Sequence, residues 1–93
     1  MNIIKVEGKN KGEIMIYALS TCGWCSKTKE FLKNLGVEFQ YVDVDLLFGS
    51  DREKTLEEIK KWNPYSSFPT LVINQKDCVV GFDQEKIKQA LGI

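Results

Sequence analysis

Two cysteines separated by two residues, Cys22 and Cys25 in the run Ser20-Thr21-Cys22-Gly23-Trp24-Cys25-Ser26-Lys27, are the residues of this chain best suited to chemistry. A pair at this spacing can close a small disulfide and reopen it, so thiol–disulfide exchange is the reaction to expect. The flanking sequence divides the labour. The apolar run from Ile14 to Leu19 has strand length and composition. After it, Cys25, Thr28, Phe31, Leu32 and Leu35 recur at spacings of three and four, the period of a helix with one buried face. Cys22 therefore falls at a helix start, where unpaired N–H groups and the positive end of the helix dipole favour a thiolate over a thiol. Cys25 lies one turn in, on the inner edge. Cys22 is thus expected to attack an external disulfide, and Cys25 to attack the mixed disulfide and release the product. Lys27 lies close enough in sequence to add positive charge. A permanent staple or half a metal site are the alternatives. Closing so short a loop adds little stability, and a structural zinc site takes four Cys or His ligands, whereas this chain has no histidine and only Cys78 besides the pair.

The frame around the pair is small. With 93 residues, 43% of them hydrophobic, the chain is expected to form one domain over residues 1–93. Lys plus Arg and Asp plus Glu balance at 13 each, which leaves no basic excess to attract nucleic acid or an anionic membrane, so partners must be chosen by local contacts. No apolar run has the length of a membrane span, and Met1-Asn2-Ile3-Ile4-Lys5 lacks the apolar core of a signal peptide. An odd cysteine count with two in a reactive spacing fits a reducing compartment. These features together predict a cytoplasmic monomer.

Taken in order, Asn2–Glu7 carries Ile3, Ile4 and Val6 ahead of the polar, glycine-bounded turn Gly8–Gly12. Residues 1–12 are either an extra strand folding back before the main one or a frayed end. Glu13–Leu19 is too continuously apolar for an edge and reads as a central strand covered on both faces. The first helix should end at Leu35, with Gly36 in the left-handed position that follows a helix. Val37–Val44 then alternates as a second strand, with Val37, Phe39, Tyr41 and Asp43 on one side, completing a βαβ unit with parallel strands. Ser50 and Glu53 have capping-box spacing, which predicts a helix from about Asp51 to Trp62. Leu56, Ile59 and Trp62 form its apolar stripe and the charged residues its solvated face. Asn63–Ser67 breaks that helix. Thr70–Ile73 and Cys78–Val80, joined by Asn74-Gln75-Lys76-Asp77, should pair as a hairpin. Asp83 caps a last helix through Leu91, with Ile87, Ala90 and Leu91 inward and Gly92 beyond. Cys78, starting a strand that helices should cover, reads as a small hydrophobe rather than a third redox centre. The class is α/β, in the order βαβ, α, ββ, α, with a mixed sheet of about four strands.

Three short motifs, Cys22-Gly23-Trp24-Cys25 after a strand, Phe68-Pro69-Thr70, and Gly81-Phe82-Asp83 at the last helix start, make the chain from about Glu13 onward resemble the glutaredoxins of the thioredoxin superfamily. The resemblance implies the thioredoxin-like fold and a dithiol oxidoreductase that needs no cofactor. It also implies a cis proline at Pro69 facing the cysteines, and a backbone at Phe68 that pairs with incoming peptide or glutathione. Lys27, Gly81 and Asp83 match positions that help hold glutathione, and Trp24 stands where tyrosine is more usual. Trp24 should shape the rim of the cleft or pack on Tyr65 or Phe82.

Two departures bear on the electron donor. Glutathione-using members often carry lysine where this chain has Leu19, and a second glycine where it has Phe82. A Gly-Phe here is nearer the NrdH-type redoxins, which serve ribonucleotide reductase and draw on thioredoxin reductase, although an arginine and a proline usual in that group are absent. Gly23, in place of the commoner proline, implies a further alternative of a different class. Glutaredoxins with Gly or Ser there can share a [2Fe–2S] cluster across a dimer, through the first cysteine of each chain (here Cys22) and two glutathiones.

Overall fold

The computed structural model describes residues 3–93, so Met1 and Asn2 of the expected first strand lie outside the described residues. In chain order the strands are β1 (Ile4–Val6), β2 (Ile14–Ala18), β3 (Phe39–Asp43), β4 (Thr70–Ile73) and β5 (Asp77–Val80). The helices are α1 (Gly23–Leu35), α2 (Gly49–Trp62) and α3 (Gln84–Leu91). One mixed sheet runs β1-β3-β2-β4-β5, giving five strands among the described residues where about four were expected. The extra one is β1. It does not fold back on β2: it pairs antiparallel with the far edge of β3, Ile4 opposite Tyr41 and Val6 opposite Phe39. β2 is already occupied on both sides, by β3 in parallel and by β4 antiparallel, so a further strand can join only at an outer edge of the sheet, and β1 takes that of β3.

β2 is central, as its composition predicts. Ile14, Ile16 and Ala18 face a core that includes Cys25, Leu32, Phe39, Leu71 and Ile87, while Met15, Tyr17 and Leu19 pack on a second cluster of Val42, Val44, Leu47 and Ile59. α1 and α3 thus cover one face of the sheet and α2 the other, which is why a near-continuous apolar run is stable there. Of the expected stripes, Cys25, Thr28 and Leu32 are buried on α1 with Phe31 and Leu35 half-buried, and Ile87 and Leu91 are buried on α3 with Ala90 half-buried; on α2 only Ile59 is buried, Leu56 and Trp62 are half-buried, and Thr55 takes the other buried place.

The ends of α1 and α3 follow local rules. Gly36 at φ +72° and Gly92 at φ +74° close the two helices in the left-handed region, each amide turning back onto the last carbonyls. The start of α2 does not. It begins at Gly49 with Phe48 at the cap position and no side-chain cap, so Ser50 lies inside the first turn rather than capping it with Glu53. The buried Leu47 is anchored in the second cluster, and the φ of +56° at Gly49 turns the chain into the helix two residues earlier than the capping-box spacing suggests. β3 is also shorter than Val37–Val44. Val37 makes only an isolated bridge to Lys9, and Val44 opens a single 3-10 turn, Val44–Leu46.

Candidate active site

The site is assembled where β2 ends. Cys22 has extended backbone at the N-cap of α1, and its Sγ accepts a hydrogen bond from the Cys25 backbone N–H at 3.2 Å, the place a Ser or Asp oxygen takes in an ordinary cap. The Cys22 N–H in turn donates to the Leu19 carbonyl at 3.2 Å and the Ser26 N–H to the Cys22 carbonyl at 3.1 Å, so the thiol is fixed on both sides. Cys22 is half-buried and Cys25 has 0% exposure; both are free thiols. Burial, seconded by a hydrogen bond with Cys22, pushes the Cys25 thiol up to about 12, against the opposing pull of a Leu19 backbone hydrogen bond and the Lys29 charge. The pair is asymmetric in the sense the sequence suggests: one sulfur is reachable at a helix terminus, the other is shielded and held protonated.

Aromatic side chains form one wall. Trp24, 58% exposed, stacks tilted on Phe82 with ring centroids 6.2 Å apart, and Phe82 meets Phe31 edge-on at 5.8 Å. The contact with Tyr65 does not form, because Tyr65 is 91% exposed on the loop after α2. Lys27 places its ammonium 4.7 Å from the centre of the Trp24 ring. The lysine whose charge acts on Cys25 is Lys29, one helical turn beyond it.

The opposite wall is the start of β4. Thr70 pairs with Tyr17, which sets Phe68 and Pro69 beside the end of β2 where the loop to Cys22 departs. The Phe68–Pro69 peptide is cis, Pro69 is buried, and Phe68 packs against both halves of the core. The Pro69 carbonyl accepts from the Gly81 N–H at 2.9 Å, tying Gly81, at φ +80°, to this wall. Asp83 caps α3, accepting from the Lys86 N–H at 3.1 Å. Cys78 lies away from the pair, half-buried on β5 beside Lys86, Gln89 and Ala90 of α3, and burial raises its thiol as well.

Three supports carry no sequence motif. Asp45, in the 3-10 turn after β3, accepts from both the Ser20 N–H at 2.8 Å and the Ser20 hydroxyl, and that hydroxyl bond holds its carboxyl below the usual range. Asn63, buried after α2, donates to the Ser67 carbonyl, the Ser67 hydroxyl and Thr70 Oγ1 and accepts from the Tyr65 N–H, bracing the loop that leads to Pro69. Lys29 on α1 meets Asp43 of β3 at 3.1 Å. Each joins residues from different elements, and only their polar character within apolar surroundings could have flagged them.

Residues 14–78 match the family model described as Glutaredoxin. In three dimensions the chain is similar to the glutaredoxin from Methanosarcina mazei Go1, with a TM-score of 0.93 and 45% identity, covering 98% of this chain and 88% of that one. It is also similar to Methanosarcina acetivorans methanoredoxin, with a TM-score of 0.88 and 44% identity over 92% of this chain and 90% of that one. A curated relative, the glutaredoxin-like 8.6 kDa protein in the rubredoxin operon of Clostridium pasteurianum, is 36% identical over 78 residues, which are 84% of this chain and 96% of that protein.

Proposed function

Because the chain belongs to the glutaredoxin family, we propose that it is a small dithiol–disulfide oxidoreductase that reduces protein and low-molecular-weight disulfides. The observation that carries this reading is the contrast between Cys22, half-buried at the α1 cap, and Cys25, wholly buried behind it. Cys22 sulfur attacks one sulfur of the substrate disulfide, forming a mixed disulfide and expelling the first substrate thiolate. Cys25 then attacks Cys22 sulfur, the Cys22–substrate bond breaks, and the second substrate thiol leaves with the proton that Cys25 gives up. Two electrons have passed from the dithiol to the substrate, and a donor thiol must return them. In this role the protein is a monomeric electron carrier of the cytoplasm.

Glutathione is proposed as a slow donor and a protein reductase as a faster one. Leu19 packs into the α2-side cluster where a lysine would reach a carboxylate, and Phe82 fills the space between Trp24 and Phe31. Asp83 has its cap to serve and Lys27 lies on an indole face. The rim of Trp24, Phe68 and Phe82 offers apolar surface to a protein partner. No three or more His, Cys, Asp or Glu side chains among the described residues are grouped to hold a metal ion. A shared [2Fe–2S] cluster would therefore have to draw on Cys22 of two chains and on outside thiols, and no step here runs through one. Nor is any helix among the described residues long and apolar enough to cross a membrane.

Mass spectrometry of two variants with a disulfide substrate tests the assignment. Cys25→Ser should accumulate a mixed disulfide on Cys22, and Cys22→Ser should form none; an adduct on Cys25 at a comparable rate would reverse the roles. The protein purified without oxygen should be colourless, and a brown preparation with visible absorbance would favour the cluster-carrying alternative.

A further inference from the structure

Lys29 is the one lysine of the chain that is not exposed. Its side chain is 19% accessible and that of its partner Asp43 14%, with Nζ 3.1 Å from Asp43 Oδ1 and 4.0 Å from the centre of the Tyr41 ring. Tyr41 and Asp43 are two apart on β3 and so project from the same face, toward α1. Drawing an ammonium out of water is costly unless it is paired, and tying α1 to β3 could be done as well by apolar side chains. The charge is therefore a feature to be explained. Its place supplies the explanation. Lys29 follows Cys25 by four residues, which puts the two on one face of the helix with Cβ atoms roughly 5–6 Å apart. Helical side chains lean toward the N-terminus, so Lys29 leans back over the turn that holds Cys25.

Resting on the oxidoreductase reading above, we infer that Lys29, clamped by Asp43 and Tyr41, is a positioning residue for the resolving step, where its ammonium stabilises the negative charge gathering on Cys25 sulfur as it attacks Cys22. The buried thiol needs such help, since its shielding disfavours ionisation and the Lys29 charge is among the influences that oppose it. The other groups bearing on Cys25 are the Cys22 thiol, which raises the cost of a second charge, and a Leu19 backbone hydrogen bond, which lowers it. Asp43 acts against Lys29 by sharing its charge. The chemistry is unchanged: the Cys25–Cys22 bond forms, the Cys22–substrate bond breaks, and the Cys25 proton passes to the departing thiolate or, where that thiolate is weakly basic, to solvent.

A chromogenic aromatic disulfide, 5,5′-dithiobis(2-nitrobenzoate), separates the two steps in a stopped-flow spectrometer. Capture at Cys22 releases one coloured thiolate and resolution by Cys25 releases the second; Cys78→Ala removes the third thiol from the count. At an effective dielectric of about 20, a unit charge one helical turn away, at roughly 5–6 Å, shifts the thiol–thiolate balance about a hundredfold. Because a more basic thiolate is intrinsically more nucleophilic by about tenfold for that change, the net effect is about tenfold. Lys29→Met should thus lower the ratio of the second rate to the first about tenfold and move the alkaline limb of the second rate to higher pH, and Lys29→Arg should restore both. Asp43→Asn, which leaves the ammonium unshared, should change the ratio in the opposite direction. A merely structural clamp would give the same sign for Lys29→Met and Asp43→Asn, and that result, or a ratio and pH profile unmoved by Lys29→Met, overturns the inference. Should Lys29→Met not fold, the sign of the Asp43→Asn effect decides. A parent protein that releases colour without ever closing the Cys22–Cys25 bond overturns the oxidoreductase reading itself, and the inference with it.

Discussion

Removing the buried thiol by Cys25→Ala should change how stability depends on pH more than it changes stability at neutral pH. Cys25 has 0% exposure, and burial holds its folded-state thiol up to about 12, whereas in the unfolded chain it titrates near ~8.5. Since the folded-state value is raised, the stabilisation is fully present below ~8.5 and is lost as pH climbs toward 12, because over that interval the unfolded chain sheds a proton that the folded chain keeps. The loss is about 1.4 kcal/mol for each pH unit, so about 2 kcal/mol has gone by pH 10. Burial raises Tyr17 and Cys78 as well, but these groups are common to parent and variant and cancel in the difference. Urea unfolding under reducing conditions at pH 7, 8.5 and 10 measures it. The gap between parent and Cys25→Ala should narrow by about 2 kcal/mol from pH 7 to pH 10. Curves that stay parallel would refute the reasoning, since they would mean that the thiol ionises as easily inside the protein as outside.

Leu19→Lys combined with Phe82→Gly should raise kcat/KM for glutathione roughly tenfold or more, as one charged hydrogen bond regained contributes about 1.5–3 kcal/mol; an unmodified protein already as fast with millimolar glutathione as with any protein donor would contradict this. Asn63→Ala strands the Ser67, Thr70 and Tyr65 partners around a buried site. It should cost about 2–3 kcal/mol and lower Tm by about 10 °C or more in calorimetry. Asp45→Ala frees Ser20 and should slow capture at Cys22 severalfold while barely moving Tm, read by stopped-flow thiol release. The same clamp, present while the Asp45 carboxyl is ionised, is lost only as pH falls below the usual carboxylate range, so capture at and above that range should show no Asp45-dependent break.

What the sequence determined by itself is what neighbours in the chain decide. The thiol pair at a helix start, the Gly36 and Gly92 stops, the Asp83 cap and the β4–β5 hairpin with left-handed Asn74 and Gln75 all depend on interactions within a few residues, and each can be read from the order of residue types. The central place of β2 was legible as well, because burial on both faces removes alternation. Where the tertiary structure decided, the deciding contact spans distant residues. β1 lies on β3 because β2 has no free edge, and Gly8 must lack a side chain because a Cβ there would come within 2.6 Å of the Val37 backbone, a closeness invisible in Gly8's own neighbourhood. Capping at Ser50 lost to the anchoring of Leu47 in the second cluster. The Lys29–Asp43 and Asn63–Thr70 contacts are set only when strands and helices come together, since a polar side chain takes a specific partner once burial has withdrawn water as the alternative, and the exposed Ser20–Asp45 contact likewise waits for the turn after β3 to reach the loop after β2. The identity of the reacting sulfurs is thus local information, while the shielding that makes Cys25 differ from Cys22 is a property of the packed core.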